Sequence, residues 1–343
     1  MMQRIYTQLP DFARPDNPVM RYVIFQRSKS MTRRSQIARV ILTSLILIFT
    51  VLIGWVFATN FGKAALDSAN PLDQIFLVLY TPLVFIQLIV SLIALGSTSS
   101  IIASEVQHGT WDTLKVTTSG TALTFRSRWA AVFYRVRFYL FLLVAARILF
   151  IAIVLFNLTA FQGRYLDLLL SGTTPFGLPD TSPNVAVLAG ILIMAMMMTA
   201  ALLAPFTAVA LNASIGMLVG TFSSGRLLGT LGQGMLLIGR ILVTGLALQI
   251  GAVALSLATP GAWPSNILNN SQALQWLGAL FGISEGDMGL SVLHLDRVLR
   301  IWADRDYGVL VGVAFLGYTL LQAAAANALV NWAARRAAKA DQT

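Results

Sequence analysis

Long runs of residues without charge constrain this chain more than any other feature. The hydrocarbon core of a membrane is about 30 Å thick and a helix rises about 1.5 Å per residue, so one crossing needs about 20 mostly apolar residues. Six stretches satisfy that requirement: 38–60, 74–98, 136–160, 185–222, 227–258 and 307–334. None holds an Asp or Glu. Arg147 and Arg240 are the cations well inside them, with Arg39 and Arg137 at the edges. Only 11% of the 343 residues are charged, against about 25% in an average soluble domain. That is too few to cover a soluble surface, which excludes a soluble enzyme, a disordered chain and a coiled coil. The expected fold is an all-α integral membrane protein with six transmembrane helices.

The flanking segments divide the chain further. Residues 1–37 form a tail, 38–334 the six-span domain with an outer loop at 259–306, and 335–343 a second tail. Residues 1–30 lack the apolar core of a signal peptide. From Val19 to Arg39, apolar residues alternate with Arg21, Arg27, Lys29, Arg33 and Arg34. That pattern predicts an amphipathic helix lying in the membrane surface, or else a basic tail that only sets topology. Pro82 predicts a kink in the second span. The fourth stretch is too long for one straight crossing and carries Pro205 at its middle. It reads as one bent or broken helix, with two short passes as the alternative.

Charge sets the orientation. With six spans and the N-terminus inside, seventeen Lys and Arg residues fall on cytoplasmic segments and five on outer ones. Membrane proteins keep Lys and Arg on the cytoplasmic side, so both termini are expected there. The net charge of +10 then reflects topology and not nucleic-acid binding. In the outer loop, Leu295, Val298, Leu299 and Trp302 recur at helical spacing. They predict an amphipathic helix near 290–302, either on the outer membrane surface or packed on neighbouring spans.

Most familiar chemistries are missing. Cysteine is absent and the two histidines, His108 and His294, lie far apart outside the spans. No zinc site, catalytic triad, paired carboxylates or phosphate-binding GxxxxGK[ST] loop is present. Without an acid or histidine in a span, proton-coupled transport by this chain alone is disfavoured, because arginine does not deprotonate. Arg147 and Arg240 are candidate intramembrane polar sites. Each faces either a polar cavity or anionic headgroup, or something more ordinary. For Arg147 the ordinary alternative is snorkelling toward the cytoplasm. For Arg240 it is a hydrogen bond to backbone, Gln233 or Gln249.

The most informative segment follows the second span: Glu105, then Gly109-Thr110-Trp111-Asp112, Leu114, Lys115 and Thr117. Gly109 permits a sharp turn and Thr110 can cap a helix starting at Trp111. Trp111 and Leu114, three residues apart, share one face. Such a knob suits docking into a groove on a soluble partner, or a position at headgroup level.

Here the chain resembles the permease subunits of ATP-binding-cassette exporters of the ABC-2 type. That family carries Glu-x-x-x-Gly-Thr-(Trp/Leu)-(Glu/Asp)-x-Leu-x-x-Thr-Pro after its second span. Glu105, Gly109, Thr110, Trp111, Asp112, Leu114 and Thr117 match, while Thr118 stands where the family often has Pro. Asn17-Pro18-Val19 before a basic amphipathic segment, and the Ser223-Ser224 turn, are also similar. The resemblance implies a non-enzymatic membrane subunit with no cofactor of its own. It implies a second permease, identical or related, and two cytoplasmic ATPase subunits that bind ATP. Glu105 to Leu114 would be the coupling helix, the pathway would form between the two permeases from spans two and five, and the site would be a cell membrane, the inner membrane in bacteria. Apolar spans favour a hydrophobic or amphipathic substrate. The alternatives are a secondary carrier or channel acting alone, and a membrane scaffold or enzyme.

Overall fold

The computed structural model describes residues 10–17, 20–21, 71–107, 120–160, 183–222, 226–257, 270–286 and 305–339, with Ile37, Ile41, Ser44, Ile48, Leu52 and Val56. A short 3-10 turn, Asp11–Ala13, precedes six long helices. These are α1 (Pro71–Gln107), α2 (Gly120–Ala160), α3 (Pro183–Gly220), α4 (Arg226–Leu257), α5 (Asn270–Glu285) and α6 (Arg305–Lys339). Among the described residues there is no strand. Among the described residues, five helices contain a stretch long and apolar enough to cross a membrane: Val78–Ser99, Ala122–Ile153, Met194–Gly220, Leu231–Gly251 and Gly312–Ala337. The protein is a helical, multi-pass membrane protein. The predicted first span, 38–60, lies outside the described residues apart from Ser44 and the apolar positions named above, which are helical and exposed. The predicted helix at 290–302 also lies outside them.

α3 is one continuous helix of 38 residues with Pro205 inside it. Its length, about 57 Å at 1.5 Å per residue, exceeds the hydrocarbon core. α2 begins at Gly120, sixteen residues before the predicted edge of the third span. Arg126, Arg128, Arg135 and Arg137 therefore stand on a helix and not in a loop.

The core joins α1, α2 and α3 through Leu83, Val90, Val136, Leu143, Phe150, Met197, Ala201 and Val209, with Ile283 of α5 and Phe315 of α6. A second cluster packs Phe125 and Met217 against Val330, Ala333, Ala334 and Ala337. It brings the start of α2 and the ends of α3 and α6 to one end of the bundle. The N-terminal segment docks at the same end: Met20 packs against Ala130 and Ala131, and Tyr134 donates to the Ala13 carbonyl at 2.9 Å.

Some polar side chains inside the apolar helices bond to the carbonyls of their own helix, which a waterless interior favours. Thr98 donates to the Ala94 carbonyl at 3.0 Å, and Ser214 to Ala210 at 2.7 Å. Glycine lets backbones touch where helices cross. A Cβ at Gly216 would overlap Thr98 Oγ1 and the Leu95 carbonyl, so α3 lies directly on α1.

α5 is a helix within the segment 259–306. A Cβ on Gly282 would overlap the Gly251 Cα, and one on Gly286 would crowd Leu248 and Ala247. Numbers rising along α5 meet numbers falling along α4, so α5 runs antiparallel to α4, back from the end where α4 finishes. It buries Ile283 in the main core and ends beside the middle of the bundle.

Candidate functional site

The end of α5 places a carboxylate where the sequence showed none. Glu285 accepts from Arg240 of α4 at 2.5 Å, with their side chains 13% and 16% exposed. Its other oxygen accepts from the Tyr318 hydroxyl of α6. Tyr318 in turn accepts from the Gln322 amide at 3.1 Å. Thr207 of α3 donates to the Gln322 side-chain oxygen at 2.8 Å. Every donor in this chain points toward the Glu285 carboxylate, so each bond polarises the next. The network ties four helices, α3, α4, α5 and α6, at one level.

Beside the network lies a small cleft, partly open to the outside. Gln87, Arg240, Ser284, Glu285, Tyr318, Thr319 and Gln322 supply its polar lining, and Ala204, Ala208 and Phe315 its apolar wall. Gln87 comes from α1, so five helices meet here.

Arg240 thus finds an acid 45 residues downstream and not Gln233. Gln233 is committed elsewhere, donating to the Gly96 carbonyl of α1 at 3.0 Å. Arg147 is fully buried and donates to the Ala201 carbonyl of α3 at 2.7 Å. It stays inside the bundle and does not reach for a membrane surface. In a helix that carbonyl receives the N–H of the residue four places on, which here is Pro205 and has none. The guanidinium supplies the donor that proline removed.

The predicted coupling segment is only touched by the structure. Glu105 falls in the last turn of α1. Gly109, Thr110, Trp111, Asp112 and Leu114 lie outside the described residues. In the sequence their segment joins the end of α1 to the start of α2.

Sequence reasoning missed Glu285, Tyr318, Gln322, Thr207 and Gln87. The available signal was Glu285 closing an apolar helix of 16 residues in a chain with few acids. Comparison with protein-family models, curated proteins and solved structures gave no match to this chain.

Proposed function

We propose that this chain is the membrane-spanning permease subunit of an ATP-driven exporter of the ABC-2 type. It has six spans and both termini in the cytoplasm, works as a pair with an identical or related permease, and moves a hydrophobic or amphipathic substrate. Two separate cytoplasmic ATPase subunits bind and hydrolyse ATP; this chain is no enzyme and holds no cofactor. Its place is a cell membrane, the inner membrane in a bacterium.

The observation that carries this is the Glu105 to Thr117 pattern, which lies in the sequence between two long apolar helices. In the family it resembles, the segment matching Gly109, Thr110, Trp111, Asp112 and Leu114 and the N-terminal region are the two parts that contact the ATPases. Arg21 belongs to the segment that docks at one end of the bundle, while α1 starts at the opposite end and runs toward Thr98 and Gly216. That Arg21 and Pro71 stand at opposite ends of the bundle supports a sixth span at 38–60.

One observation favours a second reading. Glu285 supplies a titratable group level with the spans, and a proton-coupled carrier needs such a group. The two readings part on the purified chain alone. A pH gradient imposed on vesicles holding only this protein drives no proton current in the exporter reading. A current that vanishes on Glu285→Gln supports the carrier instead.

A further inference from the structure

The cleft cancels its own charges and leaves neutral hydrogen-bonding groups over. Arg240 and Glu285 pair with each other, so the lining carries no net charge. Gln87 is 6% exposed, lines the cleft, and its side-chain oxygen meets no hydrogen-bond donor among the described residues. Buried polar atoms in native proteins are almost always bonded, so the Gln87 oxygen awaits a partner.

The identity of that partner follows from electrostatics. A cation seated here would have to displace Arg240 from Glu285, and an anion would have to displace Glu285 from Arg240. Either exchange strands a charge in the membrane interior. An uncharged donor strands nothing. It bonds to Gln87 while an apolar stem lies along Ala204, Ala208 and Phe315. We propose that the cleft is a binding site for an uncharged hydrogen-bonding group, a hydroxyl or primary amide on an amphipathic molecule. Water is the same chemistry from another source and fills the same positions in its absence. The assignment concerns binding and is independent of ATPase coupling. Taken with the exporter reading, on which this last step rests, it makes the substrate a neutral amphipath.

The test is photolabelling of the full chain in lipid nanodiscs. Three diazirine probes share one alkyl chain and differ in headgroup: glycerol, phosphate and trimethylammonium. The glycerol probe labels peptides around Phe315 and 204–208 about tenfold above both charged probes, and Gln87→Leu lowers that labelling about tenfold, the loss of one buried hydrogen bond. Arg240→Gln leaves an uncompensated acid and admits the ammonium probe; Glu285→Gln admits the phosphate probe. The paired substitution of both residues removes both charges together and keeps the glycerol preference, which covers the case of a single variant that does not fold. Equal labelling by charged probes in the native chain, or glycerol labelling indifferent to Gln87→Leu, overturns the assignment. Hydroxyl-radical footprinting separates water from ligand. Oxidation of Tyr318 and Phe315 that excess monoalkylglycerol suppresses supports displacement of water by the ligand, and oxidation that it leaves unchanged overturns the amphipathic ligand.

Discussion

Arg147 donates to the carbonyl of Ala201 at 2.7 Å, the carbonyl that Pro205 deprives of its helical donor. One residue opens a gap in the hydrogen bonding of α3 and another, on α2, fills it. A buried carbonyl left unbonded costs about 1–3 kcal/mol. Pro205→Ala restores the helical N–H and makes Arg147 redundant as a donor. Arg147→Met therefore destabilises the native chain more than it destabilises the Pro205→Ala chain. A double-mutant cycle on thermal unfolding in detergent reads a coupling of about 1 kcal/mol or more. Additivity within about 0.5 kcal/mol would show the contact to be incidental.

Arg240 and Glu285 behave as a unit. Removing one member leaves the other charge buried and uncompensated, at a cost of about 3 kcal/mol. Removing both together costs less than removing either. Arg240→Met and Glu285→Ala singly, and the pair combined, are compared by unfolding midpoint. A double variant less stable than both singles contradicts the pairing.

Glycines in this chain differ sharply in what they do. Gly282→Ala drives a methyl group into the Gly251 backbone and pushes α5 off α4, at about 1–3 kcal/mol. Gly239→Ala and Gly245→Ala meet nothing within 4 Å and are neutral or stabilising by up to about 1 kcal/mol. The order of unfolding temperatures checks this directly. Equal effects at all three sites would mean that α5 does not rest on α4 as described.

Topology is open to labelling because the chain has no cysteine of its own. Single cysteines at Ser30 and Thr343 react with a membrane-impermeant maleimide only from the cytoplasmic side, and one at Ser265 only from outside. Reaction of Thr343→Cys from outside contradicts the six-span arrangement.

Much of the fold is legible in the amino-acid order because a bilayer demands about 20 apolar residues per crossing. Leu231–Gly251 stands inside a stretch that hydropathy alone marks out, and Val78–Ser99 matches another to within one residue at its end. α5 is not legible that way. Its 16 residues are too few to cross, and Asn270, Ser271, Gln272 and Gln275 dilute them. What holds it is Gly282 against Gly251, a contact between residues far apart in the chain. The candidate site follows the same rule. Arg147, Arg240 and Pro205 each stand out in an apolar run, and the helical hydrogen-bond rule names Ala201 as the carbonyl that Pro205 exposes. That Arg147 reaches it, and that Arg240 reaches Glu285 instead of Gln233, depends on how helices pack.

The segment from Gly109 to Leu114 carries the functional proposal, and Trp111 is its most exposed commitment. Trp111→Ala removes the knob offered to a partner, and membrane insertion persists. Gly109→Pro acts on the turn before it. Both variants insert and fold but lose their ATPase, with any coupled hydrolysis falling at least about tenfold for the loss of one buried aromatic anchor.

The most direct measurement is affinity purification of the tagged full-length chain from detergent-solubilised native membranes, with mass spectrometry of what accompanies it. The account predicts a soluble ATP-binding-cassette ATPase that comes down with the native chain and is lost with Trp111→Ala. A native chain, folded and monodisperse, that comes down with no ATPase contradicts it. In that event the carboxylate of Glu285, paired with Arg240, becomes the centre of a carrier that works alone.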